Sequence, residues 1–128
     1  MPIVRIDIPT GYSDDVKERL RRGIRDAIEK IIDPGQSGRH PETCKWIYPS
    51  IREAFGRLGD GLPTVTIDTR PGRAQEQKQR LAEAICDIFE EIMSTRDVYV
   101  LLRTTAAADH IAGGVPLPEW RPDDTTVT

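Results

Sequence analysis

The chain has 128 residues, of which 30% are charged and 38% hydrophobic, and its formal net charge is −3. This composition is typical of a soluble globular protein and excludes the strongly basic balance of a nucleic-acid-binding surface. No apolar run approaches the roughly 18 residues of a membrane-spanning helix and the N-terminus has no signal-peptide core, so we expect a cytoplasmic protein with neither membrane nor nucleic-acid partners.

The first part of the chain predicts a strand, a helix and a second strand. Residues 3–8, IVRIDI, alternate apolar and polar side chains with the period of a strand. Ser13 predicts a helix N-cap, and apolar residues follow at helical spacing up to Ile31. A loop rich in Gly, Ser and Pro, residues 34–41, then separates the helix from a second strand predicted around 44–48.

The second part of the chain predicts the same order of elements. The alternating residues 65–69 indicate a strand, which Pro71 and Gly72 end in a turn. A helix is predicted from about Gln75 to Met93, and the next strand over 98–103. The last residues, from about 121, are expected to form a flexible tail.

The two parts are copies of one another. Aligned without a gap, residues 2–31 and 63–92 are identical at twelve positions. After a loop that is seven residues longer in the first copy, the alignment sets Lys45 against Tyr99 and Ser50 against Thr104. We therefore predict an α/β chain of two fused β-α-β units, residues 1–61 and 62–128, each with a parallel strand pair and a right-handed crossover. Because units of this size are marginal alone, the two should pack on each other and on further copies of the chain.

A proline opens each copy, but only the first can be reactive. Removal of Met1 would leave Pro2 with a free secondary amine, which can act as a base or nucleophile. Pro63 follows Leu62 in an unbroken chain, so its nitrogen is an amide without a usable lone pair. The repeat therefore predicts one catalytic proline and one structural proline.

The residue patterns of the second copy resemble the tautomerase superfamily, specifically the 4-oxalocrotonate tautomerase (4-OT) group. PTVTIDTRPGRAQEQKQRL is similar to the opening strand, turn and helix start of that group, and AADHIAGGVPLPEW to its glycine-containing hairpin. Two such units in one chain resemble the fused members, which assemble as trimers. The resemblance implies a homotrimer that needs no metal and no cofactor. In agreement with this, Cys44 and Cys86 have no short metal-ligand spacing.

The resemblance also implies roles for particular residues. Pro2 matches the general base and acid of the group, and Arg73 matches an arginine that binds the substrate carboxylate. Tyr12 holds the place of Arg73 in the first copy. Arg70 and Arg73 together match an arginine pair of trans-3-chloroacrylic acid dehalogenase, although both could instead be solvated turn residues. Two guanidiniums near Pro2 would disfavour its ammonium form and lower its pKa toward neutrality, as a proton shuttle requires.

Other positions depart from the pattern of the group. Ala112 replaces the water-activating glutamate of the dehalogenase. Lys45 and Tyr99 align with a further substrate-binding arginine, and Lys45 could equally be a surface lysine. His110 aligns with an aromatic wall of the pocket, although His110 and Tyr99 could also serve only in packing.

We therefore expect a tautomerase that moves a proton between the enol and keto forms of small anionic 2-oxo or 2-hydroxy acids. The alternatives are a hydratase, dehalogenase or decarboxylase of the same superfamily, or a catalytically silent oligomeric module.

Overall fold

A computed structural model of the chain describes residues 2–32 and 47–121. In chain order the elements are β1 (Ile3–Pro9), α1 (Asp14–Ile31), β2 (Ser50–Phe55), β3 (Thr64–Thr69), α2 (Gln75–Met93) and β4 (Tyr99–Thr104), followed by a short hairpin of β5 (Ile111–Ala112) and β6 (Val115–Pro116). The predicted loop at 34–41, together with Cys44 and Lys45, lies outside the described residues, as does most of the expected tail.

The four long strands form one sheet in the order β2-β1-β3-β4. Strands β1 and β2 are parallel, β3 and β4 are parallel, and the two units join through the antiparallel pair β1 and β3. This confirms the prediction of an α/β fold built from two β-α-β units. The central pair consists of β1 from the first unit and β3 from the second, so a single sheet runs through both units.

One hydrophobic core serves both units, because the apolar side chains of the central strands and of both helices pack together. Its members include Val4, Ile6, Ile8, Leu20, Ile24, Ile28, Val65, Ile67, Leu81, Ile85 and Phe89. The opposite face of the sheet carries polar side chains such as Arg5 and Asp7 beside the exposed Ile3 and Leu101. No described helix combines the length and apolar character needed to cross a membrane.

The helices begin and end where the sequence predicts. Ser13 is the N-cap of α1, and its hydroxyl accepts a hydrogen bond from the backbone amide of Val16 at 3.2 Å. This contact satisfies one of the amides left without an intrahelical partner at the first turn.

The two helices pack closely against each other at Gly23 of α1, where an added Cβ would lie 3.3 Å from the side chain of Ile88 in α2.

The sequence predicts the second strand around 44–48; residues 44–46 lie outside the described residues, and the prediction is wrong for 47 and 48. Ile47 and Tyr48 precede the strand, which begins at Ser50. Arg5 pairs with Ser50, whereas its repeat equivalent Thr66 pairs with Leu101, so Ser50 is the counterpart of Leu101 and not of Thr104. Because β2 is an edge strand with no fully buried residue, its sequence carries little of the alternation that marks a strand.

The same register corrects the alignment of the two copies beyond their helices. Arg5 and Ser50 are 45 positions apart and Thr66 and Leu101 are 35 apart, so the connection in the first copy is ten residues longer rather than seven. Tyr48 is thereby the counterpart of Tyr99, and the predicted match between Lys45 and Tyr99 is wrong.

Candidate active site

The antiparallel pairing of β1 and β3 brings Pro2 and Arg70 to one end of the sheet. Ile3 pairs with Asp68, so one step further along both strands sets Pro2 beside Thr69, the residue directly before Arg70. Pro2 and Thr69 are both buried. The start of the first copy and the turn after β3 of the second copy therefore meet within a single chain.

Arg70 and Arg73 are buried side chains, not solvated turn residues. Arg70 is 1% exposed and Arg73 is 7% exposed. The Nη1 of Arg70 donates a hydrogen bond to the carbonyl oxygen of Pro118 at 2.6 Å. The Nη1 of Arg73 donates to the carbonyl oxygen of Arg70 at 2.9 Å, which fixes the two arginines relative to each other.

Arg73 also binds the C-terminal end of α1. Its Nε donates to the carbonyl oxygen of Ile32 at 3.3 Å, and Gln77 donates to the preceding carbonyl oxygen, that of Ile31, at 3.4 Å. A cation is favourable here because the last carbonyls of a helix lack intrahelical partners and carry partial negative charge. Arg73 therefore ties the turn after β3 to the first unit.

Residues 117–121, which follow the hairpin, contact both arginines, and we call them the C-terminal strap. The Trp120 ring lies over the Arg73 guanidinium, with 4.0 Å from Cζ to the ring centroid. This geometry is a cation–π contact. Together with the bond from Arg70 to Pro118, it anchors the strap on both guanidiniums.

Asp68 and His110 form a second polar group at the same end of the sheet. His110 is 9% exposed, and its Nε2 lies 3.9 Å from Oδ1 of Asp68, which is an ion-pair distance when the imidazole is protonated. The same carboxylate oxygen accepts a hydrogen bond from the Thr105 hydroxyl at 2.7 Å. The backbone amide of Leu117 donates to the carbonyl oxygen of His110 at 2.8 Å, so this group is continuous with the strap.

Tyr99 lies at the opposite end of the sheet. It pairs with Thr64, its amide donates to the carbonyl oxygen of Pro63, and its side chain is 57% exposed. Thr64 pairs with Asp7, five residues along β1 from Pro2, which corresponds to roughly 17 Å at the rise of a strand. Within one chain, Tyr99 therefore does not join Pro2.

The Pro63 end of the sheet lacks the arginines. Tyr12, which holds the place of Arg73 in the first copy, packs against the hydrophobic core. Within the described residues, the turn that carries Arg70 and Arg73 therefore lies at the Pro2 end of the sheet and not at the Pro63 end. Within residues 2–32 and 47–121, no group of three or more His, Cys, Asp and Glu side chains is arranged to hold a metal ion.

Sequence reasoning missed the role of Trp120 and the contact of Arg73 with α1. Trp120 follows the hairpin at a distance of 47 positions from Arg73, and no local pattern connects the two. A signal is visible only in retrospect at Gly72, whose φ is +129° and where an added Cβ would lie 2.9 Å from Cε3 of Trp120. A glycine is needed at this turn both for the backbone angle and for the space that the indole fills.

Substitution of Gly72 by alanine is expected to destabilise the protein more than the same change at Gly11. Both glycines have positive φ, at which a side chain costs about 1–3 kcal/mol. Gly11 has no atom within 4 Å of an added Cβ, whereas at Gly72 the methyl group meets Trp120, which adds about 1–3 kcal/mol of overpacking. Chemical denaturation of both variants measures the difference, and equal losses would show that the indole yields without cost.

Comparison with known proteins identifies similarities in sequence and in fold. Residues 63–118 match the sequence model of the Tautomerase enzyme family. No curated protein sequence is a significant match. Among solved structures, the native fused 4-OT is 20% identical with a TM-score of 0.72, and the similarity covers 88% of this chain and 94% of that one.

Two other solved structures share the fold. Malonate semialdehyde decarboxylase is 18% identical with a TM-score of 0.64 over 87% of this chain and 90% of that one. The macrophage migration inhibitory factor-like protein of Entamoeba histolytica is 10% identical with a TM-score of 0.70 over 91% of this chain and 98% of that one. At these identities the similarity establishes the fold and not the reaction.

Proposed function

We propose that the protein is a cofactor-independent tautomerase, because residues 63–118 match the sequence model of the Tautomerase enzyme family and the chain shares the fold of the native fused 4-OT. Its substrates are small unsaturated 2-oxo or 2-hydroxy acids. The observation that carries the proposal is the pairing of β1 with β3, which puts Pro2 and the turn with Arg70 and Arg73 at one end of the sheet.

In the proposed reaction the Pro2 amine takes the proton from the enol oxygen and returns a proton to carbon as the double bond shifts. The amine must be unprotonated near neutral pH to do so. Arg73 binds the substrate carboxylate through its planar fork, and Arg70 stabilises the charge that develops on the carbonyl oxygen. Both guanidiniums also disfavour the ammonium form of Pro2, because like charges repel.

The remaining predicted site residues have supporting roles. His110, held near Asp68, lines the Pro2 end of the sheet. Tyr99 can reach a Pro2 site only from a neighbouring copy, and the role of Lys45 stays a prediction. We propose that the chain forms a homotrimer, in which the exposed Ile3, Leu101 and Tyr99 on the open sheet face become buried. Solved fused 4-OT proteins of the same fold are trimers.

The direct test combines intact mass with an enol-to-keto assay. Protein whose mass shows that Met1 is absent should convert phenylenolpyruvate and 2-hydroxymuconate far faster than buffer does. Protein that retains Met1 should be inactive, because the Pro2 nitrogen is then an amide. Absence of any ketonisation by the trimmed protein would refute the proposal, and carbon dioxide release from malonate semialdehyde would instead indicate a decarboxylase.

One observation favours a catalytically silent module as the second candidate. Backbone carbonyl oxygens of Ile32, Arg70 and Pro118 already bind the two guanidiniums, and the strap covers them. In such a module the arginines would hold the fold together and bind no substrate. Calorimetric titration with 2-oxoadipate separates the two candidates, since a module of this kind shows no saturable heat.

A further inference from the structure

The strap contacts the guanidiniums of both Arg70 and Arg73. Both arginine side chains are almost completely buried. The half-buried indole of Trp120 lies directly on Arg73, so an anion that binds the Arg73 guanidinium lies beside this ring.

The indole is held in place by contacts on more than one side. One face covers the Arg73 guanidinium, and the ring edge at Cε3 occupies the space above Gly72. Two residues earlier, the Pro118 carbonyl oxygen is fixed by Arg70 at 2.6 Å. A large aromatic surface is thus fixed next to a cation that can bind a carboxylate.

We infer that Trp120 is a specificity-determining residue, which makes the site prefer planar, conjugated carboxylates over saturated ones. This inference rests on the proposed function, since it takes Arg73 as the carboxylate ligand. A conjugated carbon chain is coplanar with the carboxylate to which it is attached. When that carboxylate binds Arg73, such a chain can pack flat against the indole of Trp120. A saturated chain is puckered and makes poorer contact with the ring.

Fumarate and succinate are the matched probes, because both are four-carbon dicarboxylates and only fumarate is planar and unsaturated. Isothermal titration calorimetry of the full chain should show that fumarate binds about threefold to tenfold more tightly, the range expected for one good stacking contact. Trp120→Leu should reduce this preference to about one. Trp120→Phe should keep a part of it.

If Trp120 had only a structural role, its replacement would lower the unfolding temperature without changing the ratio of the fumarate and succinate affinities. If Trp120→Leu does not fold by circular dichroism, Trp120→Phe gives the test, since its smaller ring should lower the fumarate preference while keeping an aromatic contact with Arg73. A fluorescence titration in a Trp46→Phe background makes Trp120 the only tryptophan and should show a saturable change with fumarate.

The outcomes distinguish this inference from the proposed function. Equal affinities in the wild type, or an undiminished fumarate preference in folded Trp120→Leu, would overturn the role of Trp120 whatever the enzyme does. Conversely, Pro2→Ala should retain the fumarate preference, because anion binding needs no proton transfer. Loss of catalysis with an intact preference in that variant supports both conclusions.

Discussion

Replacement of Pro2 by alanine is expected to lower kcat/KM for enol-to-keto conversion by about 10²–10⁴, the range for loss of a positioned general base. The change removes the ring that fixes the amine at the start of β1 and replaces a secondary amine with a primary one. Burial of Pro2 at this position makes the geometry of its nitrogen dependent on the ring. Stopped-flow measurement with phenylenolpyruvate and 2-hydroxymuconate gives the ratio.

Pro63→Ala is the matched control, because Pro63 has the same place in the second copy and is also buried. Its nitrogen is an amide, so this variant should keep the wild-type rate once it is shown to be folded. Intact mass must establish loss of Met1 in every sample. Equal rates for wild type and Pro2→Ala would remove the amine from the mechanism, and equal losses in both proline variants would point to folding instead.

The sequence was sufficient for the elements whose signals are local. The N-cap at Ser13 and the alternating residues of β1 and β3 predicted α1 and the central strands within a residue or so. The gapless repeat then implied that the second copy would have the same order. These signals are strong because a half-buried strand and an amphipathic helix each expose one face and bury the other.

The edge strand and the contacts of the arginines could not be predicted in this way. Strand β2 has no fully buried residue, so the alignment around it depended on the placement of a gap. The buried Arg73 contacts Ile32, 41 positions before it in the chain, and Trp120, 47 positions after it. Motif position can indicate that an arginine matters, but it carries no information about which carbonyls the guanidinium binds.

These contacts give Arg73 a role in stability, and the proposed function gives it a second, separable role in substrate binding. Arg73→Met, which keeps an unbranched apolar stem and removes the guanidinium, is expected to lower the unfolding free energy by roughly 1–3 kcal/mol, because the carbonyls of Ile32 and Arg70 lose a donor. The same variant should lower kcat/KM for anionic substrates by about a hundredfold, mainly through KM, because the carboxylate loses its forked partner. Arg73→Lys should recover charge without the fork and restore only part of the activity.

Gln77→Leu separates the two roles, since Gln77 binds the adjacent carbonyl of Ile31 at the same helix end and carries no charge. This variant should lose stability and keep KM. Urea denaturation and steady-state kinetics well below the unfolding transition measure both quantities for each protein. If Arg73→Met and Gln77→Leu are destabilised to the same extent and neither changes KM, the Arg73 guanidinium serves only to cap the C-terminal end of α1. The buried position of Arg73 would then be the evidence for a scaffold that has kept the fold of an enzyme without its anion site.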